Sequence, residues 1–206
     1  MIIQYPSVNN PRYPVSVVVP TRYMELDRYV NQALQSACPQ QIILVTSTDP
    51  INPNKQRNVG FGRVNQPHVF FMDEDILVDA YIFREMLTAM HDQHTQWAYS
   101  DFFCINHPLN GTFKHTAGAY SWERLKKGNF ISTMSLVKTS IMPRWDETIE
   151  RLQDFDCWCQ LGKSGYAPAY VDKPLFTAIY DAKESGITKA LGYNDAYKIL
   201  KTKHGL

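Results

Sequence analysis

Asp73, Glu74 and Asp75 follow directly on the apolar run Val69-Phe70-Phe71-Met72. An apolar run that ends in carboxylates reads as a buried strand emerging at the edge of a sheet. In extended chain Asp73 and Asp75 project to the same side. Carboxylates so close repel each other, and a hard divalent cation bound through oxygen offsets that repulsion. A diphosphate beside them could supply further oxygens to the same ion. The plainer alternative is an acidic turn that only stops the strand. Other polar residues carry the same double reading. Lys55 and Arg57 could meet phosphates or lie on a solvated helix face. Asp154 and Asp156 open a helical stretch, where the dipole favours carboxylates, so simple capping would account for them. His91 and His94 have the spacing of a metal pair, but they fall where a helix runs out into polar chain, and exposure is expected. The aromatic and basic stretch 120–130 could stack on a sugar or a base, or form an amphipathic helix with a solvated face.

The elements that must position these groups alternate along the chain. Val15-Ser16-Val17-Val18-Val19 is a β-branched run, stopped by Pro20, and is predicted to be a central strand. Residues 25–37 follow as an amphipathic helix with Leu26, Val30, Ala33, Leu34 and Ala37 on one face, closed by Pro39. Gln41-Ile42-Ile43-Leu44-Val45 is a second buried strand, ending in Thr46-Ser47-Thr48-Asp49. Strand, helix, strand implies a parallel pair with a right-handed crossover, and ligands in such sheets bind beyond the carboxyl ends of the strands. Thr21, residues 46–49 and the acidic cluster would all sit there. A helix over 53–64 and a third strand over 68–72 come next, then a helix to about His91 that Asp79 can cap. The remaining chain reads as a fourth strand over 96–104, an irregular loop over 105–118 and a strand over 131–137. A helix from 152, a strand over 166–171, an extended segment over 174–180 and a C-terminal helix near 195–201 complete it. Residues 1–14, rich in proline, suggest an irregular surface arm.

A chain of 206 residues fits a single domain spanning 1–206. With 44% hydrophobic and 13% aromatic residues it can bury a sizeable core, which excludes disorder. A formal charge of +1 gives no basic excess of the kind duplex binders show. No signal peptide is evident, and no apolar run reaches membrane-spanning length. Cys38, Cys104, Cys157 and Cys159 form no CxxC pair and no zinc-like spacing, which suggests reduced thiols in a cytoplasmic protein.

Four pieces, in this order, resemble the family 2 glycosyltransferases of the GT-A fold. They are the opening strand and turn VSVVVPT (Val15 to Thr21), Arg57-Asn58-Val59-Gly60 as an RNxG helix, Phe71-Met72-Asp73-Glu74-Asp75 as a DxD motif, and LQDFDCWCQLGKSG (Leu152 to Gly165) as the segment read as EDxDxxxRLxxxG. The resemblance covers residues 15–188. It implies an α/β fold, a GT-A (Rossmann-like) three-layer sandwich with a mostly parallel central sheet. It also implies a metal-dependent, inverting transfer of a sugar from a nucleotide-sugar donor, expected to be a UDP-sugar, to an acceptor hydroxyl. Asp73 and Asp75 would hold Mn²⁺ or Mg²⁺ on the donor diphosphate. Asp154 would be the general base toward the acceptor hydroxyl. Thr21 and the end of the second strand would face the nucleoside, with Arg57 close to them.

Three departures accompany the resemblance. The acidic turn usual after the second strand is Thr46-Ser47-Thr48-Asp49, with Asp49 as the substitute. The usual ED pair is Gln153-Asp154. A histidine often found near the C-terminus is absent, and Lys183 could contact the diphosphate instead. The acceptor stays open among a glycan, a lipid-linked sugar, a protein side chain and a hydroxylated DNA base, the last making nucleic acid a partner. The alternatives are a non-catalytic module binding sugar nucleotide or glycan, and a nucleotidyltransferase. Against the latter, Pro20-Thr21-Arg22-Tyr23-Met24 holds no glycine where a phosphate loop is usual.

Overall fold

The computed structural model describes residues 2–4, 12–46, 52–107, 111–179 and 192–206. Among them are the strands β1 (Ile2–Gln4), β2 (Tyr13–Thr21), β3 (Pro39–Thr46), β4 (His68–Phe71), β5 (Ile76–Val78), β6 (Trp97–His107), β7 (Gly111–His115), β8 (Leu136–Lys138) and β9 (Ala169–Ile179). The helices are α1 (Arg28–Ser36), α2 (Pro53–Phe61), α3 (Ile82–Asp92), α4 (Trp122–Leu125), α5 (Gln153–Lys163) and α6 (Tyr193–His204). The strands form one sheet in the order β1-β3-β2-β4-β8-β6-β9-β5, with β7 beside β6. β2, β3, β4, β6 and β9 point the same way, and they include every strand of eight residues or more. Their carboxyl ends make one edge, as the strand–helix–strand pattern requires.

Both faces of that sheet are covered. Val17, Val19 and Phe70 pack against Val30 and Leu34 of α1 and Phe83 and Met86 of α3. Val18, Phe71 and Val137 pack on the other side against Phe155 and Trp158 of α5 and Leu200 of α6. Successive strand residues alternate between the two cores, so a continuous apolar run is what a sheet buried on both faces demands. Trp97 lies parallel to Trp158 with ring centroids 4.9 Å apart, joining the sheet to α5. On α2 the constraint is space. A Cβ added at Gly60 would stand 2.3 Å from Val18 Cγ1 and 3.0 Å from Val45 Cγ2. Only a glycine lets α2 lie this close to β2 and β3.

Several expectations are corrected. Pro20 does not stop β2, which runs on to pair Pro20 with Val45 and Thr21 with Thr46. The last bond toward β4 is Met72 N–H to Val18 O, and the missing N–H of Pro20 points to that same side, where β4 has already ended. Pro39 opens β3 instead of closing α1. Part of the proline-rich arm is strand β1, antiparallel to β3. The loop expected over 105–118 is largely hairpin, because β7 returns along β6. The strand over 131–137 shrinks to β8, the two segments near 166–180 fuse into β9, and only α4 is helical within 120–130.

Candidate functional site

Asp73, Glu74 and Asp75 form the turn between β4 and β5, at the carboxyl edge of the sheet. Glu74 turns back to the end of β2, where it accepts Thr21 Oγ1 at 2.6 Å, the Arg22 backbone N–H at 3.0 Å and Arg22 Nε at 2.6 Å. The middle carboxylate therefore fixes the first crossover turn, and the outer two remain for other work. Asp73 Oδ1 accepts Arg57 Nη2 at 2.7 Å. Asp75 has no ion pair among the described residues. Although the residue is exposed, desolvation of its carboxyl and then the charge of Asp73 push its pKa up to about 6.

Arg57 is placed by α2. Asn52 caps the helix, its Oδ1 accepting Lys55 N–H at 3.0 Å, and Pro53 follows at the first helical position. Arg57 is 4% exposed. Nη1 donates to Asn54 Oδ1 and to Gln153 Oε1, each at 3.0 Å, and the plane lies 4.6 Å from the Trp145 ring centroid. Asn54 and Asn58, neighbours on the same helix face, hold the segment that leads to α5. Asn54 Nδ2 donates to Asp146 O, and Asn58 exchanges bonds with the backbone of Trp145. Gln56 reaches the sheet, donating to Thr21 O and Val45 O at the ends of β2 and β3. One helix thus ties together both strand ends, the acidic turn and the approach to α5.

Asp154 is the second residue of α5. Leu152 precedes the helix in the left-handed region, φ 59° and ψ 37°, and makes no side-chain cap. Asp154 Oδ1 accepts the Phe155 N–H at 2.8 Å. Burial nevertheless dominates and pushes the Asp154 pKa up to about 6, against that bond, Asn129 and Arg57. A carboxylate with no ion pair among the described residues and a pKa near neutrality suits proton transfer. Asp156, two residues on, is committed elsewhere. It is 1% exposed and bonded to His204 Nε2 and Lys203 Nζ, both at 2.7 Å.

Of the site residues predicted from sequence, Asp73, Arg57 and the start of α5 are brought together, and Asp75 lies on the same turn as Asp73. Thr21 stands at the same edge, but it is buried and its hydroxyl is bonded to Glu74. Arg57 donates to protein groups through both terminal nitrogens. Asp49 and Lys183 lie outside the described residues. The Ile179 N–H donates to Asp75 O at 3.3 Å, so β9 ends against the acidic turn. His91 is exposed and paired with Asp92, and His94 is exposed, as expected. Among the basic groups near these segments, Lys203 and His204 bond to Asp156 and Arg124 lies over the Phe130 ring at 3.7 Å, with Lys203 and Arg124 exposed. Sequence reasoning missed Glu74 and Gln56. Alternation within the acidic triplet was a usable signal for Glu74.

No three His, Cys, Asp or Glu side chains converge among the described residues to cage an ion by protein alone. Asp75 beside Asp73 gives instead the partial donor set of a hard cation that takes its remaining oxygens from phosphate and water. The charge repulsion that raises the Asp75 pKa is what such an ion would relieve. Mn²⁺ or Mg²⁺ fits these residues.

Sheet order, the two helical layers and the acidic turn at the carboxyl edge define a GT-A-like α/β sandwich, Rossmann-like in its first half. The solved structures that share it include S. aureus TarS. TarS 1–349 superposes with a TM-score of 0.60 at 15% identity, covering 80% of this chain and 60% of that one. Its complex with UDP-GlcNAc gives 0.68 at 13%, covering 92% and 65%, and its complex with UDP gives 0.62 at 13%, covering 81% and 60%. This chain spans three-fifths to two-thirds of TarS 1–349. At such identities the likeness is one of fold. No protein-family model and no curated protein matches the sequence. Among the described residues, no helix is long and apolar enough to cross a membrane.

Proposed function

We propose that this chain is a glycosyltransferase that moves a sugar from a UDP-sugar to an acceptor hydroxyl, with metal dependence and inversion at the anomeric carbon. The observation that carries the reading is the Arg57 bridge. One buried guanidinium holds Asp73 of the acidic turn and Gln153 beside Asp154, so a cation-binding turn and a candidate base keep a fixed relation at the ligand edge of the sheet. The fold is shared with TarS, a glycosyltransferase whose structures include complexes with UDP-GlcNAc and UDP, and the donor class is inferred from that likeness. The DxD resemblance to family 2 supports the same reading.

Asp75 and Asp73 would hold Mn²⁺ or Mg²⁺, which when bound acts as a Lewis acid on the departing nucleoside diphosphate. Arg57 keeps Asp73 oriented, and Glu74 keeps the turn closed on β2. Asp154 takes the proton of the acceptor hydroxyl as that oxygen attacks the anomeric carbon from the face opposite the leaving group. Direct displacement from that face inverts the centre. Lys183 is a candidate for the diphosphate and Asp49 for the nucleoside. The acceptor is a hydroxyl on a glycan, lipid-linked sugar, protein or modified base. Cysteines outside any disulfide fit a reducing compartment such as the cytoplasm.

Calorimetric titration with UDP and UDP-GlcNAc, with and without Mn²⁺, tests the donor, with Asp75→Ala as control. Metal-dependent binding lost in the variant is the expected result. If no nucleoside diphosphate binds under any condition, the transferase reading is wrong.

A further inference from the structure

The proposed reaction leaves the acceptor open, and the start of α5 carries an aromatic ladder that the mechanism does not use. Phe155, next to Asp154, is fully buried. Its ring stacks on Tyr197 of α6, with 5.8 Å between centroids and 25° between planes. Tyr197 stacks in turn on Tyr193, at 6.3 Å and 15°. The two tyrosines stand four residues apart on α6, which puts them on one helix face. The Tyr197 hydroxyl donates to Lys126 O at 2.9 Å, which ties that ring to the end of α4. Tyr193 ends the ladder, 44% exposed, with the Arg151 guanidinium 5.7 Å from its ring centroid. Arg151 comes three residues before Asp154 and Phe155 directly after it, so the ladder meets the chain on both sides of the proposed base. A single exposed tyrosine is ordinary surface. One that ends a braced stack of rings, next to a candidate catalytic carboxylate, is a preorganised apolar platform with polar groups at hand.

We propose that Tyr193 is the platform on which the acceptor rests, and that the acceptor is a glycan, one of whose sugar rings lies with its C–H face on the tyrosine. The proposal deepens the transferase reading and rests on it. A pyranose has apolar C–H faces and a rim of hydroxyls, which suits an exposed aromatic ring with its own hydroxyl and the Arg151 guanidinium beside it. A nucleobase would also stack, but its strand brings phosphates, and a formal charge of +1 offers no field to hold them. A side-chain hydroxyl of a protein presents no ring to such a surface. A free oligosaccharide and a lipid-linked sugar present the same ring. At the sugar hydroxyl the proton passes to Asp154 and the oxygen bonds the anomeric carbon of the donor. The carbon–oxygen bond to UDP breaks, and its electron pair leaves with the diphosphate.

UDP release from UDP-GlcNAc with Mn²⁺ is measured in the full chain as chitotriose, cellotriose, maltotriose, their octyl glycosides or a single-stranded oligonucleotide is added. Mass spectrometry of the probe reads transfer. At least one saccharide should accelerate release and gain a sugar, and action by octyl glycosides alone would assign the ring to a lipid-linked acceptor. For the active saccharide, Tyr193→Ala should raise the half-saturating concentration about tenfold, the size of one lost stacking contact, while Tyr193→Phe and Tyr193→Trp stay within about twofold of the parent. UDP affinity with Mn²⁺, read by calorimetry, should not move, whereas a general loss of packing between α5 and α6 would lower it. A half-saturating concentration unmoved in Tyr193→Ala overturns the platform. Acceleration by the oligonucleotide alone, or by no probe, overturns the glycan assignment. If UDP-GlcNAc neither binds nor releases UDP, the transferase reading itself fails and the platform falls with it.

Discussion

Replacing Arg57 by lysine tests whether the site is organised by charge or by planar geometry. Lysine keeps the positive charge, but its donors radiate from one atom. It cannot reach Asn54, Gln153 and Asp73 together from the position of Arg57. The Asp73 ion pair is the bond a lysine would retain, at the solvent side, where Asp73 is 38% exposed. The two interior bonds to Asn54 Oδ1 and Gln153 Oε1 are lost. At about 1–1.5 kcal/mol for each bond of this kind, the cost is about 2–3 kcal/mol. For a chain of this length each kcal/mol lowers Tm by about 2–4 °C, so Arg57→Lys should melt about 5–10 °C below the parent. The second effect is on the site. With Gln153 released, α5 is no longer tied to the acidic turn, and turnover should fall more than UDP affinity does. Differential scanning calorimetry and UDP titration read the two effects separately. A Tm within 1 °C of the parent, with turnover intact, would refute the claim that the guanidinium fork holds the site together.

Gly60→Ala gains about 1 kcal/mol of helix propensity but forces a methyl into Val18, at an overpacking cost of about 1–3 kcal/mol. A net loss of stability by urea titration is expected, with activity falling because α2 carries Arg57. Asp154 has a folded pKa near 6, above its ordinary 3.8, so its ionisation opposes folding as pH rises through 6. Asp154→Asn should therefore melt higher than the parent at pH 8, and the gap should close as pH falls toward 4. The Asp146 pKa is held down at about 2, first by Lys203, so the sign is opposite. The stability this pairing contributes is present above pH 3.8 and lost as pH falls toward 2. Lys203→Met should destabilise at pH 7, through Asp146 and buried Asp156, and differ less from the parent near pH 2.

Much of the frame was legible because apolar period and turn chemistry act locally. The runs at Val15–Val19 and Gln41–Val45 had to be strands buried on both faces, and the helix between them fixed their parallel sense. What failed was non-local. β5 is three residues long and exists because β9 is there to pair with it. Nothing in Ile76-Leu77-Val78 distinguishes it from the start of a helix. The hairpin of β6 and β7 was hidden for a related reason. It is stabilised by fully buried Asp101, which collects Lys114 and the Ala117 N–H from β7 and the chain just after it, and the Tyr170 hydroxyl from β9. Pro20 misled because a proline is a strand breaker only where a partner awaits its N–H.

The same distinction decides which motif residues do chemistry. In Arg57-Asn58-Val59-Gly60, the arginine bridges two acceptors on other elements, the asparagine holds the Trp145 backbone, and the glycine admits the helix to the sheet. In the acidic triplet, Glu74 is engaged with the end of β2 and Arg22 through both oxygens, and Asp73 with α2 through Oδ1. In the last motif, Asp156 is buried in a network with α6. Of the described carboxylates in these motifs, two are left without an ion pair, Asp75 and Asp154. Both have pKa values raised to about 6. Motif spacing marks where the site lies, but it weights holder and reactant alike. A fold does not leave carboxylates crowded or desolvated without a counter-charge for stability's sake, since each costs free energy at neutral pH. On the proposed function, Asp75 and Asp154 are the groups that an external cation and an external hydroxyl would meet.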